Sequence, residues 1–181
     1  MPNSSNYTQW IRLLDWNGLS GLWSGIRTGR TPGWEPGKAF EYLILRAFEL
    51  DGAEVRWPYV VSLAGRVVEQ IDGAVYAANL SCLVETKDTA GPVDFEAVAK
   101  LRQQLLRRPT GVFGLLFARS RFTDAATTLA QFVAPQNILL WTGSDVDAAL
   151  NRRGITWALE AKYRYCVEEG QPNLGLRPTV L

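Results

Sequence analysis

Residues 66–87 read Arg66-Val67-Val68-Glu69-Gln70-Ile71-Asp72-Gly73-Ala74-Val75-Tyr76-Ala77-Ala78-Asn79-Leu80-Ser81-Cys82-Leu83-Val84-Glu85-Thr86-Lys87. Val, Ile, Tyr and Leu dominate the stretch and Ala78-Asn79 interrupts it, the pattern of two strands joined by a short turn. Glu54 to Leu63 has the same extended character and is set off by Ala64-Gly65. Three strands, Glu54–Leu63, Arg66–Ala77 and Leu80–Thr86, therefore predict an antiparallel meander. Residues two apart on a strand share a face, so Glu85 and Lys87 project together. A hairpin turning near Asn79 brings Asp72 opposite position 86, beside that pair. Two carboxylates and an ammonium thus converge at one end of a sheet, within an otherwise apolar sequence (Ile71, Ala74, Val75, Leu83, Val84). Charge in such surroundings is costly unless it is paired or holds a cation.

Upstream, Tyr7 to Arg27 carries apolar residues at helical spacing and predicts one or two amphipathic helices, broken near Asn17-Gly18. Thr28 to Gly37 reads as a Gly/Pro-rich loop, and Pro36 opens a helix that runs to Leu50 and stops at Gly52. Downstream, Val93 to Arg108 reads as a helix with Phe95, Val98, Leu101 and Leu105 facing inward. Gly111 to Ala118 is an uninterrupted apolar run, as in a strand buried on both faces. A helix over Thr123–Val133, a short strand over Ile138–Trp141 and helices over Asp145–Arg152 and Ile155–Glu169 follow. The expected fold is α/β: a mixed central sheet, made of the three-strand meander and two further strands, flanked by helices. The division is a Trp-rich helical extension over 1–35, a main domain over 36–169 and a loose tail over 170–181.

The carboxylate pair has a chemical reading. A hard divalent cation such as Mg²⁺ takes carboxylate and carbonyl oxygens and keeps waters for substrate phosphate. Asp72 and Glu85 would be its ligands, with the Thr86 carbonyl a third, while Lys87 could orient or deprotonate the attacking water. The chain contains no histidine, so Ser-His-Asp triads, Cys-His dyads and His-metal centres are excluded, and a base role falls to another residue. Two cysteines, Cys82 and Cys166, form no CxxC or scaffold pattern and read as buried thiols in a reducing compartment.

These residues resemble the PD-(D/E)xK nuclease superfamily, with its restriction-endonuclease-like core, and within it the Mrr-like branch. Gly37-Lys38-Ala39-Phe40-Glu41 is similar to that branch's opening helix, Gln70-Ile71-Asp72-Gly73 to its Asp motif and Glu85-Thr86-Lys87 to its ExK motif. Gly111–Ala118 leading into Phe122-Thr123-Asp124-Ala125-Ala126 is similar to the later strand and helix start. The resemblance spans Gly37 to Leu150. Ile71 stands where the superfamily's name has Pro, and the segment before Gly37 has no counterpart. The resemblance implies Mg²⁺-dependent phosphodiester hydrolysis, with Mn²⁺ able to substitute, and implies that Glu41 assists the metal. Glu41 also lies at the edge of the Phe40/Ile44/Phe48 helix face, where its side chain can reach over the sheet end.

The 181 residues, 47% apolar and 20% charged, fit a globular chain, and the net charge of +1 gives no overall attraction to nucleic acid. Any such attraction is local. Lys100, Gln104 and Arg107 lie opposite the apolar stripe of their helix, and Arg119 and Arg121 stand in a nearby loop. These five are the candidates for tracking phosphates, and Lys100 or Gln104 could also reach the metal site; the rival reading is a solvated helix face. Glu69 reads as a surface residue. Seven tryptophans are many for this length, and those at helical spacing before residue 35 read as packing against the core or a second subunit. With no leader and no long apolar run, the expected location is the cytoplasm and not a membrane.

Two function classes follow. The first is an endonuclease acting on DNA in preference to RNA, an effector of a restriction or anti-phage defence system, working as a homodimer and with a separate specificity or activator subunit. The second is a non-catalytic nucleic-acid- or partner-binding module on the same fold, with an RNA endonuclease as a further variant.

Overall fold

The computed structural model describes residues 4–176; the ends of the expected N-terminal extension and C-terminal tail, residues 1–3 and 177–181, lie outside them. Two of the predicted strands are broken. Arg66–Ala77 divides at Asp72 into β3 (Arg66–Ile71) and β4 (Gly73–Ala77), and Glu54–Leu63 divides at Trp57-Pro58 into β1 (Glu54–Arg56) and β2 (Tyr59–Leu63). β1 pairs with β4 and β2 with β3, both antiparallel, so the simple meander is corrected to a main sheet and a separate two-stranded ribbon. The break has local causes: Pro58 offers no N–H to a ladder, and Asp72 turns its carboxylate onto Thr86.

β5 (Leu80–Lys87) pairs antiparallel with β4 through a turn in which Ala78 and Asn79 have φ of 52° and 59°, the geometry of a two-residue hairpin. β6 (Val112–Ala118) and β7 (Ile138–Trp141) then add in parallel, giving the order β1-β4-β5-β6-β7. Parallel neighbours need crossovers, supplied by α4 (Phe95–Leu105) and α5 (Asp124–Phe132).

The period of two along each strand divides the core into two layers. Val75, Cys82, Val84, Leu115, Phe117 and Trp141 pack on one side, against α3 (Lys38–Leu50), α6 (Gly143–Arg152) and α7 (Ile155–Glu169). Ala74, Leu83, Leu116 and Leu140 face α4 and α5 on the other. The N-terminal helices α1 (Ser4–Arg12) and α2 (Trp16–Arg27) join the first layer through Tyr7, Ile11, Leu19, Trp23 and Ile26. Their break falls before Trp16, not at Asn17-Gly18, because Asp15 accepts the Gly18 N–H at 2.9 Å and caps α2. The helix after the motif starts later than expected, at Phe95, capped by Asp94. Phe95 consequently sits outside, 47% exposed, and not in the core.

α3 packs tightly on Gly73 at the start of β4, since a Cβ there would lie 2.5 Å from Leu45. The segment expected to trail loosely is docked as far as Leu176. Leu140 N–H bonds the Pro172 carbonyl at 2.9 Å and Leu176 N–H bonds Asp145 Oδ1 at 2.7 Å, so this segment supplies a partner to the outer edge of β7.

Glu69, expected at the surface, is buried. Its Oε2 accepts from Arg108 Nη2 at 2.6 Å and its Oε1 pairs with Arg107. Gln104, also buried, donates to the Gln70 carbonyl at 3.2 Å. Together these fasten the β2–β3 ribbon to the last turn of α4 and to the residues just after it. Burial pushes the Glu69 carboxyl up, but Arg108 and Arg107 outweigh it and hold it below its ordinary 4.5. A folded value below the unfolded one means stability fully present above pH 4.5 and lost as pH falls below it. The difference in Tm between wild type and Glu69→Gln is therefore expected to shrink as thermal melts move from about pH 5 to about pH 3; a constant difference would contradict the assignment.

Candidate active site

The break at Asp72 places its carboxylate at the end of the sheet. Asp72 Oδ2 accepts both the Thr86 backbone N–H at 2.8 Å and its hydroxyl at 2.9 Å. Glu85, the residue before Thr86, points to the α4 side and is 1% exposed. Its Oε1 accepts from Lys87 Nζ and from Lys100 Nζ, each at 2.7 Å. The shared face of Glu85 and Lys87 follows from strand geometry; Lys100 arrives from α4, a full element later in the chain.

From the opposite layer, Glu41 enters in the first turn of α3, 5% exposed, with Oε2 held by Lys38 Nζ at 2.6 Å. The site therefore sets three carboxylates against three ammoniums. Lys38 had no role assigned from sequence, although its i, i+3 spacing to Glu41 in the opening helix was a readable signal. Of the five residues considered for phosphate contact, Gln104, Arg107 and Arg119 are committed to the protein itself. Arg119 bonds the Ile26 carbonyl at 2.8 Å and pairs with Asp88 at 3.1 Å. Lys100 stands at the site and Arg121 is exposed.

Two buried carboxylate oxygens of the site, Glu41 Oε1 and Glu85 Oε2, have no hydrogen-bond partner. Such orphans are expensive in a folded protein. Burial, then the charge of Asp72, pushes the Glu41 carboxyl up to about 7 against the pull of Lys38. Burial, followed by Glu85, likewise pushes Asp72 up in spite of the Thr86 bonds. As the side chains stand, no group of three or more His, Cys, Asp or Glu residues among the described residues is arranged around a metal position. The chemistry of the donors nonetheless fits a hard cation: oxygen ligands only, mutually repelling, with two lone oxygens unsatisfied.

The electrostatic strain has a measurable sign. Glu41 binds its proton more tightly folded than unfolded, so stability falls as pH rises from 4.5 towards about 7. In metal-free buffer Glu41→Gln is expected to raise Tm at pH 8, by a free energy on the order of 3 kcal/mol or less, and to change it little near pH 4. Thermal melts at the two pH values check this; a lower Tm at pH 8 would refute it.

A mixed sheet between helical layers, with an acidic residue at the break of one strand and an acid and lysine at the end of the next, is the restriction-endonuclease-like fold. Residues 35–150 match the family model described as restriction endonuclease, of the Mrr catalytic type, and the chain belongs to that family, which places it among the nucleases. Among solved structures, a protein of unknown function, AF1548, aligns at 17% identity over 72% of this chain and 77% of its own, with a TM-score of 0.50. MspJI restriction endonuclease, solved with a 27-mer oligonucleotide, aligns at 19% identity over 98% of this chain and 41% of its own, with a TM-score of 0.46. The chain thus spans about two-fifths of MspJI. No curated protein matched. No helix among the described residues is long and apolar enough to cross a membrane.

Proposed function

We propose that the chain is a Mg²⁺-dependent endonuclease that hydrolyses phosphodiester bonds in DNA, with Mn²⁺ able to replace Mg²⁺. The observation that supports this reading is the pair of buried, unpartnered oxygens, Glu41 Oε1 and Glu85 Oε2, on two carboxylates that both interact with the charge of Asp72. Glu85, Asp72 and Glu41 would hold the cation with the Thr86 carbonyl. When bound, the metal supplies Lewis-acid stabilisation of the charge that develops on the phosphate. Lys87, 31% exposed at its side chain, can hold or take a proton at Nζ from a water facing the phosphodiester, the task that a chain without histidine must give to another group. Lys100 and Lys38 neutralise Glu85 and Glu41 until substrate arrives and then face its phosphates. Membership in a restriction endonuclease family supports DNA as the polymer and a restriction or defence setting.

The test is cleavage of plasmid DNA, and of a single-stranded RNA in parallel, with Mg²⁺, Mn²⁺ or EDTA. Metal-dependent nicking of DNA that Asp72→Ala abolishes is the expected result. Absence of cleavage together with absence of Mg²⁺ and Mn²⁺ binding by calorimetry would refute the metal site and leave the non-catalytic module.

A further inference from the structure

The β2–β3 ribbon has two unlike faces. On the inner one Tyr59 stands opposite Ile71 and Val61 opposite Glu69; the three apolar side chains pack into the α4-side core and Glu69 pairs with Arg107 and Arg108. On the outer face Val60 stands opposite Gln70, and both are exposed. That pair also lines a cavity of about 340 Å³ whose other walls include Lys38, Glu41 and Asp72, so the outer face runs directly into the carboxylate site. Further out the register skips Val68, a bulge, and the ribbon ends in a turn at Ala64-Gly65. Val60, Leu63, Val67 and Val68 are each more than half exposed, a grouping that scattered surface apolar residues do not explain. Arg66 is exposed at the tip, and the ribbon's one carboxylate, Glu69, is turned inward. The exposed charge on the ribbon is therefore positive alone.

A partly apolar face, free of negative charge and continuous with the place where a phosphodiester must lie, suits a groove of duplex DNA, and the major groove admits a two-stranded ribbon. A second copy of the chain seated on this face would cover the cavity beside Glu41 and Asp72 and shut substrate out. We infer that the outer face of the ribbon enters the major groove next to the scissile phosphate, where Gln70 reads a base pair and Arg66 meets a phosphate further along. This rests on the nuclease reading for the position of the scissile phosphate. It assigns a specificity element to the fold. A carboxamide pairs with adenine through N6 and N7, and aliphatic methyls suit the methyl of thymine, so Gln70 with Val60 beside it favours an A·T pair. Gln70 lies two residues before Asp72, and its carbonyl is held by Gln104, so the pair it reads stands at a fixed distance from the cut.

The experiment is selection of duplexes from a randomised pool by gel shift in Ca²⁺, a cation that accepts the same oxygen ligands, with wild type, Gln70→Ala and Arg66→Ala. Wild type is expected to enrich adenine about tenfold at one position, within the range of a bidentate base contact. Gln70→Ala is expected to lose that enrichment while its mean affinity stays within about threefold of wild type. Arg66→Ala is expected to keep the enrichment and to lower the slope of log affinity against log salt by about one. Thermal melts establish that both variants fold, and lost preference with retained affinity is a result that misfolding does not give. No enrichment by wild type, enrichment unchanged in Gln70→Ala, an unchanged salt slope in Arg66→Ala, or no binding of any duplex would overturn the ribbon's role. So would sedimentation that finds Val68→Asp as a smaller species than wild type, the mark of a face covered by a second copy. Plasmid cleavage with Mg²⁺ is run in parallel. Cleavage without these dependences overturns the ribbon's role alone, whereas the dependences without cleavage keep it and overturn the nuclease reading.

Discussion

Lys87→Ala is expected to slow DNA cleavage by about 10²- to 10⁴-fold, the range for removing a positioned acid or base, while leaving Tm within a few degrees. The geometry separates it from its neighbour. Lys87 and Lys100 both donate to the same oxygen of Glu85 at 2.7 Å, so losing either leaves Glu85 with one ammonium and the fold intact. Lys87 is carried on the end of β5, one strand position from Thr86 and Asp72's hydrogen bonds, and is held by the sheet. Lys100 hangs from α4 with 48% of its side chain exposed. Lys100→Ala is therefore expected to weaken substrate binding more than the single-turnover rate. Single-turnover cleavage at saturating DNA distinguishes them. If the two substitutions slow the saturated rate equally, the two lysines act as interchangeable counter-charges and the proton role of Lys87 is wrong.

The second large effect is on stability. Lys162 is fully buried and its Nζ donates to the Leu140 carbonyl at 2.8 Å, to Asp145 Oδ2 at 3.0 Å and to the Leu174 carbonyl. Asp145 in turn caps α6 and accepts the Leu176 N–H. Burial pulls the Lys162 ammonium below its ordinary value against the pull of Asp145, so the lysine is tolerated there only because every one of its directions is occupied. Lys162→Met strands a buried carboxylate and two carbonyls. The expected loss is about 3–5 kcal/mol, a fall in Tm of about 6–20 °C at roughly 2–4 °C per kcal/mol for a chain of this size. Combining it with Asp145→Asn is expected to recover part of the loss, because the uncompensated charge goes too. Melts of the single and double variants check both statements, and a single variant within about 1 kcal/mol of wild type would show that the pair is not what pins residues 172–176 to the core.

Much of the fold was legible because apolar periodicity reports which faces are buried. β7 and α7 begin and end where the pattern changes, and β6 is covered on both faces as its unbroken apolar run implied. The convergence of Glu85 with Lys87 follows from strand geometry alone. The opening-helix glutamate reaches the same end of the sheet because α3 packs its Phe40/Ile44/Phe48 face on the first layer. What the pattern does not carry is which strand a residue pairs with. Pro58 is a local reason for the break between β1 and β2, but that β1 goes to β4 and β2 to β3 is decided only by the fold.

Polar residues show the same limit more sharply. A Glu or Gln reads as solvated unless its partner is adjacent in the chain, and the partners here come from elsewhere. Glu69 meets Arg107 and Arg108, Gln104 meets Gln70, and Lys162 meets carbonyls on two other segments. By itself the sequence determined the layers, the order of most elements and the grouping of Asp72, Glu85 and Lys87, since these depend on local propensity and on periods of 2 and 3.6. Tertiary structure alone decided the partners of the broken strands, the separate ribbon and the charge pairing around each carboxylate, since those depend on distances between residues far apart in the chain.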